Sequence, residues 1–338
     1  MGCAGGSLSV SEEQEACSLP QTTVAGSDYK RTWSQGSRTD EVVFLAGQDV
    51  RPGEGFEEKV VDLCAGGDKP RSSVMAAVKM EVAILRALQR SPHTVVFLGL
   101  VVEGPLAYIR TERCDERLPV ALERLPELTE VTLKPIFSDM FAAISACHAA
   151  SVIHRDARLE NFAVCARAGE PLAFITKLCD VSLATRHRQC DVIACDEMVG
   201  SPPYLAPEML DGCGYGSKVD IWSLGVSAYL LLFGAWPYGT EGKPGTQASI
   251  LRGLPRPSFS GSAAISGPCA AWAAALLRRN PFERPSAEQA LQECLGGRWA
   301  ALGSLRLREG YAKAADEARP ARTISNTSTH SGSELSKP

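Results

Sequence analysis

Two acidic residues and one amide stand out by their spacing. In "VIHRDARLENF" (Val152–Phe162), His154, Arg155 and Asp156 follow one another after a helical stretch, and Asn161 lies five residues past Asp156. In "KLCDVSLAT" (Lys177–Thr185), Asp180 follows an apolar run, nineteen residues past Asn161. Carboxylates take up protons and, with amide oxygens, bind hard cations. In isolation an aspartate on a loop reads as a turn or cap residue, so its chemistry depends on what else the chain supplies.

The run from His154 to Asn161 resembles the H-R-D-x-x-x-x-N loop of eukaryotic protein kinases, where the aspartate accepts the substrate hydroxyl proton and the asparagine holds a metal. Other stretches follow in the family's order over residues 29–297. "GSPPYLAPEML" is similar to its G-T-P-x-Y-x-A-P-E segment, "KVDIWSLGV" to its D-x-W-S-x-G helix start, and "NPFERPSAEQAL" to the late helix whose arginine, here Arg284, pairs with Glu208. The resemblance places Asp180 where the family has D-F-G, as a ligand with Asn161 for Mg²⁺ (or Mn²⁺) on ATP. Phe and Gly of that triplet are replaced by Val181 and Ser182. Valine packs less volume than phenylalanine, and serine lacks glycine's access to positive φ.

The lysine that binds phosphates and pairs with a helical glutamate is assigned to Lys59. It lies on a strand-like run, twenty-two residues before Glu81. Lys79, in "AAVK", looks closer to the family text but falls inside the helical run and only two residues before Glu81. Glu57 occupies a position that is small in the family. The glycine-rich loop matches least: "QGSRTDEVVFLA" keeps Gly36 and Val43, with Arg38 and Glu41 at the other glycine positions. Fewer glycines bring fewer backbone N–H groups to phosphate, so weak nucleotide binding is expected. "YIRTERC" resembles the hinge, with Thr111 as gatekeeper and backbone groups of Glu112 and Cys114 facing adenine.

Arg158 stands where serine/threonine kinases carry lysine, and it keeps the charge that meets the γ-phosphate. Glu160 matches an acidic residue that faces arginine in basic substrates. "RTIS" (Arg322–Ser325) would suit such specificity as an autophosphorylation site. Between Arg186 and Gly200 no Ser, Thr or Tyr occurs, and Asp191, Asp196 and Glu197 are carboxylates that could pair with Arg155; a surface acidic loop is the alternative. Cys190 and Cys195 are weak candidates for a redox pair.

These residues need elements to hold them. From Thr32 to Ile109 short β-rich runs, "EVVFLAG", "EKVVDL", "TVVFLGLVV" and "PLAYIR", alternate with turn signals. One helical run interrupts them, with Val74, Val78, Val82 and Leu85 on one face. After Cys114 long helical patterns dominate. The expected fold is α+β and bilobal: a small antiparallel sheet with one main helix (29–111), a hinge (112–115), a larger helical lobe (116–297), and a cleft between the lobes. Residues 1–28 and 298–338 are expected to be disordered.

The chain has 338 residues, 45% hydrophobic and 22% charged, with a net charge of −4. That suffices for a large core and argues against bulk nucleic-acid binding. Twelve scattered cysteines without C-x-x-C spacing read as reduced thiols in a cytoplasmic protein. No run of eighteen apolar residues occurs, and no signal peptide is visible. Gly2 and Cys3 resemble an N-myristoylation signal beside a palmitoylation site, which would anchor the protein to a membrane surface; a plain small-residue start is the alternative. The leading expectation is an ATP-dependent serine/threonine protein kinase acting on protein substrates with basic motifs. The alternative is a pseudokinase, a scaffold on the same fold.

Overall fold

Glu103-Gly104-Pro105 sets the sharpest turn in the first part of the chain. Gly104 takes φ +56°, and Pro105 holds its own φ near −65°. That combination suits a two-residue hairpin of the II′ type, joining β4 (Phe97–Glu103) to β5 (Leu106–Glu112). The computed structural model describes residues 23–24, 44–45, 55–64, 70–125, 127–167, 170–187, 198–212, 214–239, 247–259, 265–297 and 299. It divides into a smaller unit ending at Ala83 and resuming over Val96–Arg113, and a larger unit of Ile84–Val95 and Cys114 onward.

The smaller unit carries one antiparallel sheet. Besides β4 and β5 it contains β1 (Thr23–Val24), β2 (Phe44–Leu45) and β3 (Phe56–Asp62), in the order β1-β3-β5-β4-β2. β1 falls within the stretch expected to be disordered. The β-branched run Thr22-Thr23-Val24 favours a strand, and Thr23 and Val24 pair with Val60 and Lys59. On β4 and β5, Phe97, Leu100, Ala107 and Ile109 are buried. Helix α1 (Ser72–Leu88) follows β3, and Val74, Val78, Val82 and Leu85 all lie on its buried face.

The larger unit is built around helices. In chain order they are α2 (Leu118–Arg124), α3 (Glu130–Ala149), α4 (Pro207–Leu210), α5 (Lys218–Phe233), α6 (Gln247–Arg252), α7 (Gly267–Leu276) and α8 (Ala287–Gly296). Thr129 begins α3 with a capping box, exchanging hydrogen bonds with Thr132. α5 is buried from Val219 to Leu232 and ends at Gly234, whose left-handed φ of +66° closes the last turn. At Gly225 a Cβ would lie 2.8 Å from Leu276 Cβ, so the missing side chain is what lets α5 and α7 approach. Small antiparallel sheets frame the loops between helices: β6 (Glu116–Arg117), β8 (Phe162–Arg167) and β9 (Glu170–Leu178) form one, and β7 (Val152–Ile153) pairs with β10 (Thr185–Arg186).

The seven cysteines among the described residues are free thiols. Burial raises the pKa of Cys147 and Cys269 and pushes Cys294 up to about 11, so these three are protonated core atoms. No helix among the described residues is long and apolar enough to cross a membrane.

Candidate functional site: a polar knot on a buried aspartate

β7 delivers the chain to His154, and the next seven residues form a tight loop before β8 begins at Phe162. Arg155 adopts φ +68°, a left-handed conformation that costs a non-glycine residue roughly 1–2 kcal/mol. Asp220, in the first turn of α5 and fully buried, offsets that cost. Its Oδ1 accepts the backbone N–H of Arg155 at 2.8 Å. Its Oδ2 accepts the backbone N–H of His154 at 2.9 Å and faces His148 Nε2 at 2.8 Å. Burial by itself would raise the pKa of Asp220. The hydrogen bond and charge of His148, with the backbone N–H of His154, outweigh burial and hold the carboxyl below the usual carboxylate range.

His154 ties this loop to Asp180. Its Nε2 lies 2.7 Å from the Asp180 carbonyl, which can only accept, so Nε2 carries a proton. Its Nδ1 receives the Asp156 N–H at 3.2 Å, which makes the ring neutral with its tautomer set by both neighbours. Cys179 N–H donates to the Asn161 carbonyl at 2.9 Å. These two links bring the backbones on either side of Asp180 against the loop that holds Asp156 and Asn161.

The Asp156 carboxylate receives one N–H on each oxygen: Ser201 N–H on Oδ1 at 3.1 Å and Asn161 Nδ2 on Oδ2 at 2.9 Å. Asn161 Nδ2 also donates to the Asp156 carbonyl at 2.8 Å. Both neighbours of the Asn161 amide nitrogen are acceptors, so the nitrogen must face them and the carbonyl oxygen remains to meet a cation. Asp180 Oδ1 accepts the Ser182 N–H at 3.0 Å in a local turn. Among the described residues no cluster of three or more His, Cys, Asp and Glu forms a complete metal cage. A carboxamide and a carboxylate nonetheless fit Mg²⁺, which takes few protein oxygens and fills its octahedron with phosphates and water.

Ser182 does not need the backbone freedom of the glycine it replaces: among the described residues other than glycine, only Ser151 and Arg155 have positive φ. Val181 is buried, as is Ala184. Gly200, at φ +112°, cannot be replaced as cheaply. A Cβ there would lie 2.6 Å from the Arg155 carbonyl, and Gly200 directly precedes Ser201, which holds Asp156.

Arg158 closes the knot. Its Nε donates to Glu160 Oε2 at 2.9 Å, its Nη1 to Ser201 Oγ, and its guanidinium lies 5.6 Å from the centroid of the Tyr204 ring. Burial disfavours the charge, but Glu160 and Asp156 outweigh it and raise the pKa of the guanidinium. Glu160, which the resemblance matches to an acid that faces substrate arginine, meets an arginine of its own chain two residues away. Arg155 donates Nε to the Leu183 carbonyl at 2.7 Å and Nη1 to Tyr215 Oη at 3.4 Å; Asp191, Asp196 and Glu197, its candidate partners, lie outside the described residues, as do Cys190 and Cys195.

In the smaller unit, Lys59 Nζ meets Glu81 Oε1 at 2.7 Å, with both side chains mostly buried. On the other face of β3, Glu58 takes Arg110 at 2.6 Å, the alternation a strand requires. Lys79 is exposed on α1. Glu57 stands opposite Thr111 in the β3–β5 ladder. The Glu112 N–H goes to the Val96 carbonyl at 2.9 Å and its Oε1 accepts the Val96 N–H at 2.8 Å, while Cys114 begins the larger unit's second segment. Gly36, Val43, Arg38 and Glu41 lie outside the described residues, as do Gly2, Cys3, Thr323 and Ser325.

Asp220 and His148 are the positioning residues that sequence reasoning leaves without a role. Their signal is an aspartate inside the otherwise apolar "VDIWSLGVSAYLLLF". Arg284 donates Nη1 and Nη2 to the two oxygens of Glu208 at 2.6 and 2.8 Å, the bidentate pair expected from "NPFERP".

Residues 64–295 match a family model described as protein kinase domain. Among curated proteins, CDPK-related kinase 7 of Arabidopsis thaliana is 31% identical over 230 residues, which make up 66% of this chain and 39% of that protein. Calcium-dependent protein kinase 9 of Oryza sativa subsp. japonica is 32% identical over 222 residues, 64% and 37% of the two chains. Serine/threonine-protein kinase kin-29 of Caenorhabditis briggsae is 30% identical over 224 residues, 66% and 26%. The matched region thus spans less than two-fifths of each relative's length. Gly36, Val43 and Lys59 all precede the segment that matches the family model.

Proposed function

The chain belongs to the protein kinase domain family, and from that premise we propose that it transfers the γ-phosphoryl group of ATP to serine or threonine hydroxyls of protein substrates. The observation that carries the reading is the knot around Asp156. Each carboxylate oxygen is steadied by one N–H, from Ser201 and from Asn161, and retains lone-pair capacity for a substrate hydroxyl. Asp156 orients that hydroxyl and takes its proton. Arg158, charged and fastened to Ser201 and Glu160, offers a cation beside the carboxylate. ATP with Mg²⁺ supplies the transferable phosphoryl group and neutralises its charge. Asn161 Oδ1 and the Asp180 carboxylate would hold the ion, and Lys59, braced by Glu81, would hold phosphate oxygens. Serine/threonine specificity is supported by the likeness to the serine/threonine-protein kinase kin-29 and by the basic residue at position 158.

A scaffold reading has its own support. Asp180 Oδ1 is drawn into a turn with Ser182, and two of the three expected glycines are Arg38 and Glu41. Phosphotransfer from Mg²⁺-ATP or Mn²⁺-ATP to a mixture of serine-, threonine- and tyrosine-containing peptides separates the two. The enzyme reading expects incorporation on serine or threonine that falls by at least ~10³-fold in Asp156→Asn. Equal incorporation by both proteins, or none by either, would leave the scaffold reading standing.

A further inference from the structure

The end of α6 and the turn ahead of α8 carry a surface that phosphotransfer does not use. Leu251, Leu254 and Phe282 are exposed there, Leu254 at 58% and Phe282 at 93%. A stiff frame presents them. Gly253 takes φ +68°, and a Cβ on it would lie 2.9 Å from Arg279 Nη1. The Arg279 guanidinium donates to the Ile250 and Leu251 carbonyls at 2.5 and 2.6 Å, fastening the turn to α6. Arg284 donates in turn to the Arg278 and Arg279 carbonyls at 2.6 and 3.1 Å. Phe282 is therefore held outward on an anchored three-residue turn (Pro281–Glu283).

Exposed arginines flank these apolar tips: Arg252, Arg256 and Arg278. The acidic residue of the turn, Glu283, accepts the Asn280 amide at 3.1 Å. In a chain of net charge −4 this is a local inversion of sign. Protruding apolar tips among arginines match the boundary of an anionic bilayer, which receives aromatic and aliphatic side chains without a shaped pocket. Guanidinium groups pair with phosphate through two N–H donors. Juxtaposed cations add roughly fivefold each to binding at an anionic surface. A protein partner would instead have to supply a pocket for Phe282 as well as carboxylates for the arginines.

We propose that this face docks on an anionic lipid surface, with Phe282 and Leu254 entering the headgroup–acyl boundary while Arg252, Arg256 and Arg278 meet lipid phosphates. The docking is independent of phosphotransfer, so its test does not depend on activity. The full chain, made in bacteria so that no acyl chain is attached, is co-sedimented with vesicles of phosphatidylcholine alone and of phosphatidylcholine with phosphatidylserine. Binding to the anionic vesicles only is expected, weakening with salt. The double variant Arg252→Glu/Arg256→Glu should lower the partition coefficient by ~25-fold or more, and Phe282→Ser by ~10-fold, with unfolding midpoints unchanged. Arg256→Gln alone, at a side chain with no partner among the described residues, repeats the test without risk to folding and should cost ~5-fold. No sedimentation with phosphatidylserine vesicles, or equal sedimentation of wild type and folded variants, overturns the proposal. So does retention on poly-glutamate without vesicle binding, which would assign the face to an acidic protein.

Discussion

Asp220→Asn keeps the shape of the buried side chain and removes its charge. The carboxylate now serves three groups: the backbone N–H of Arg155, the backbone N–H of His154, and His148 Nε2. An asparagine has one carbonyl oxygen. If it takes the place of Oδ2, the amide nitrogen confronts the Arg155 N–H, donor against donor, in a site with no solvent access. An unsatisfied buried N–H costs about 1–3 kcal/mol, and the surviving bonds lose their charge assistance. The sum is roughly 2–4 kcal/mol, a fall of roughly 5–15 °C in the unfolding midpoint. The left-handed Arg155 would relax first and displace Asp156, and a shift of about 1 Å at the reacting groups costs ~10²-fold in turnover. The pH dependence has a definite sign. Because the carboxyl of Asp220 is depressed in the folded protein, its stabilisation is complete above the unfolded aspartate value of about 3.9. It is lost as pH falls through the lower folded value. The gap between wild type and variant should thus be open at pH ~5 and narrow below pH ~4. Differential scanning calorimetry across that range, with phosphotransfer measured where both proteins are folded, checks both halves. A variant with wild-type midpoint, or a destabilised one with undiminished turnover, refutes the reasoning.

Arg284→Lys should lower the urea midpoint by an amount equivalent to roughly 3–5 kcal/mol, because lysine cannot reproduce the buried fork on Glu208. Gly200→Ala should cost about 1–3 kcal/mol in denaturant unfolding and most of the phosphotransfer, since its Cβ meets the Arg155 carbonyl at 2.6 Å beside the Ser201–Asp156 contact. Lys59→Met, which strips the buried Glu81 carboxylate of the cation 2.7 Å away, should weaken a fluorescent ATP analogue by roughly 10- to 100-fold in titrations and also lower the unfolding midpoint.

Elements whose pattern repeats over many residues are legible in the chain itself. The four-residue spacing from Val74 to Val82 marks α1, and Glu103-Gly104-Pro105 marks the β4–β5 hairpin. β1 is not legible in this way, because two residues carry no period; its evidence is a partner strand more than thirty positions away. The choice of Lys59 over Lys79 rests on period as well, since a residue inside the α1 pattern cannot also sit on the strand facing it. Asp220 is harder to read. A lone acid within an apolar helix announces a buried charge, yet two of the three groups it serves are backbone N–H groups, which leave no mark on residue identity. Glu160 shows the same limit from the other side. Its acidity is legible, but that Arg158 takes it depends on the path of the loop between them.

Asp220 addresses main-chain atoms at positions 154 and 155 and ignores what side chains stand there or downstream. A bracket that grips this loop by its peptide framework leaves the fittings mounted on the loop interchangeable. Arginine in place of lysine at 158, or serine in place of glycine at 182, can be exchanged without reshaping the bracket. Single side-chain exchanges on this loop can therefore retune its chemistry while its backbone path is kept.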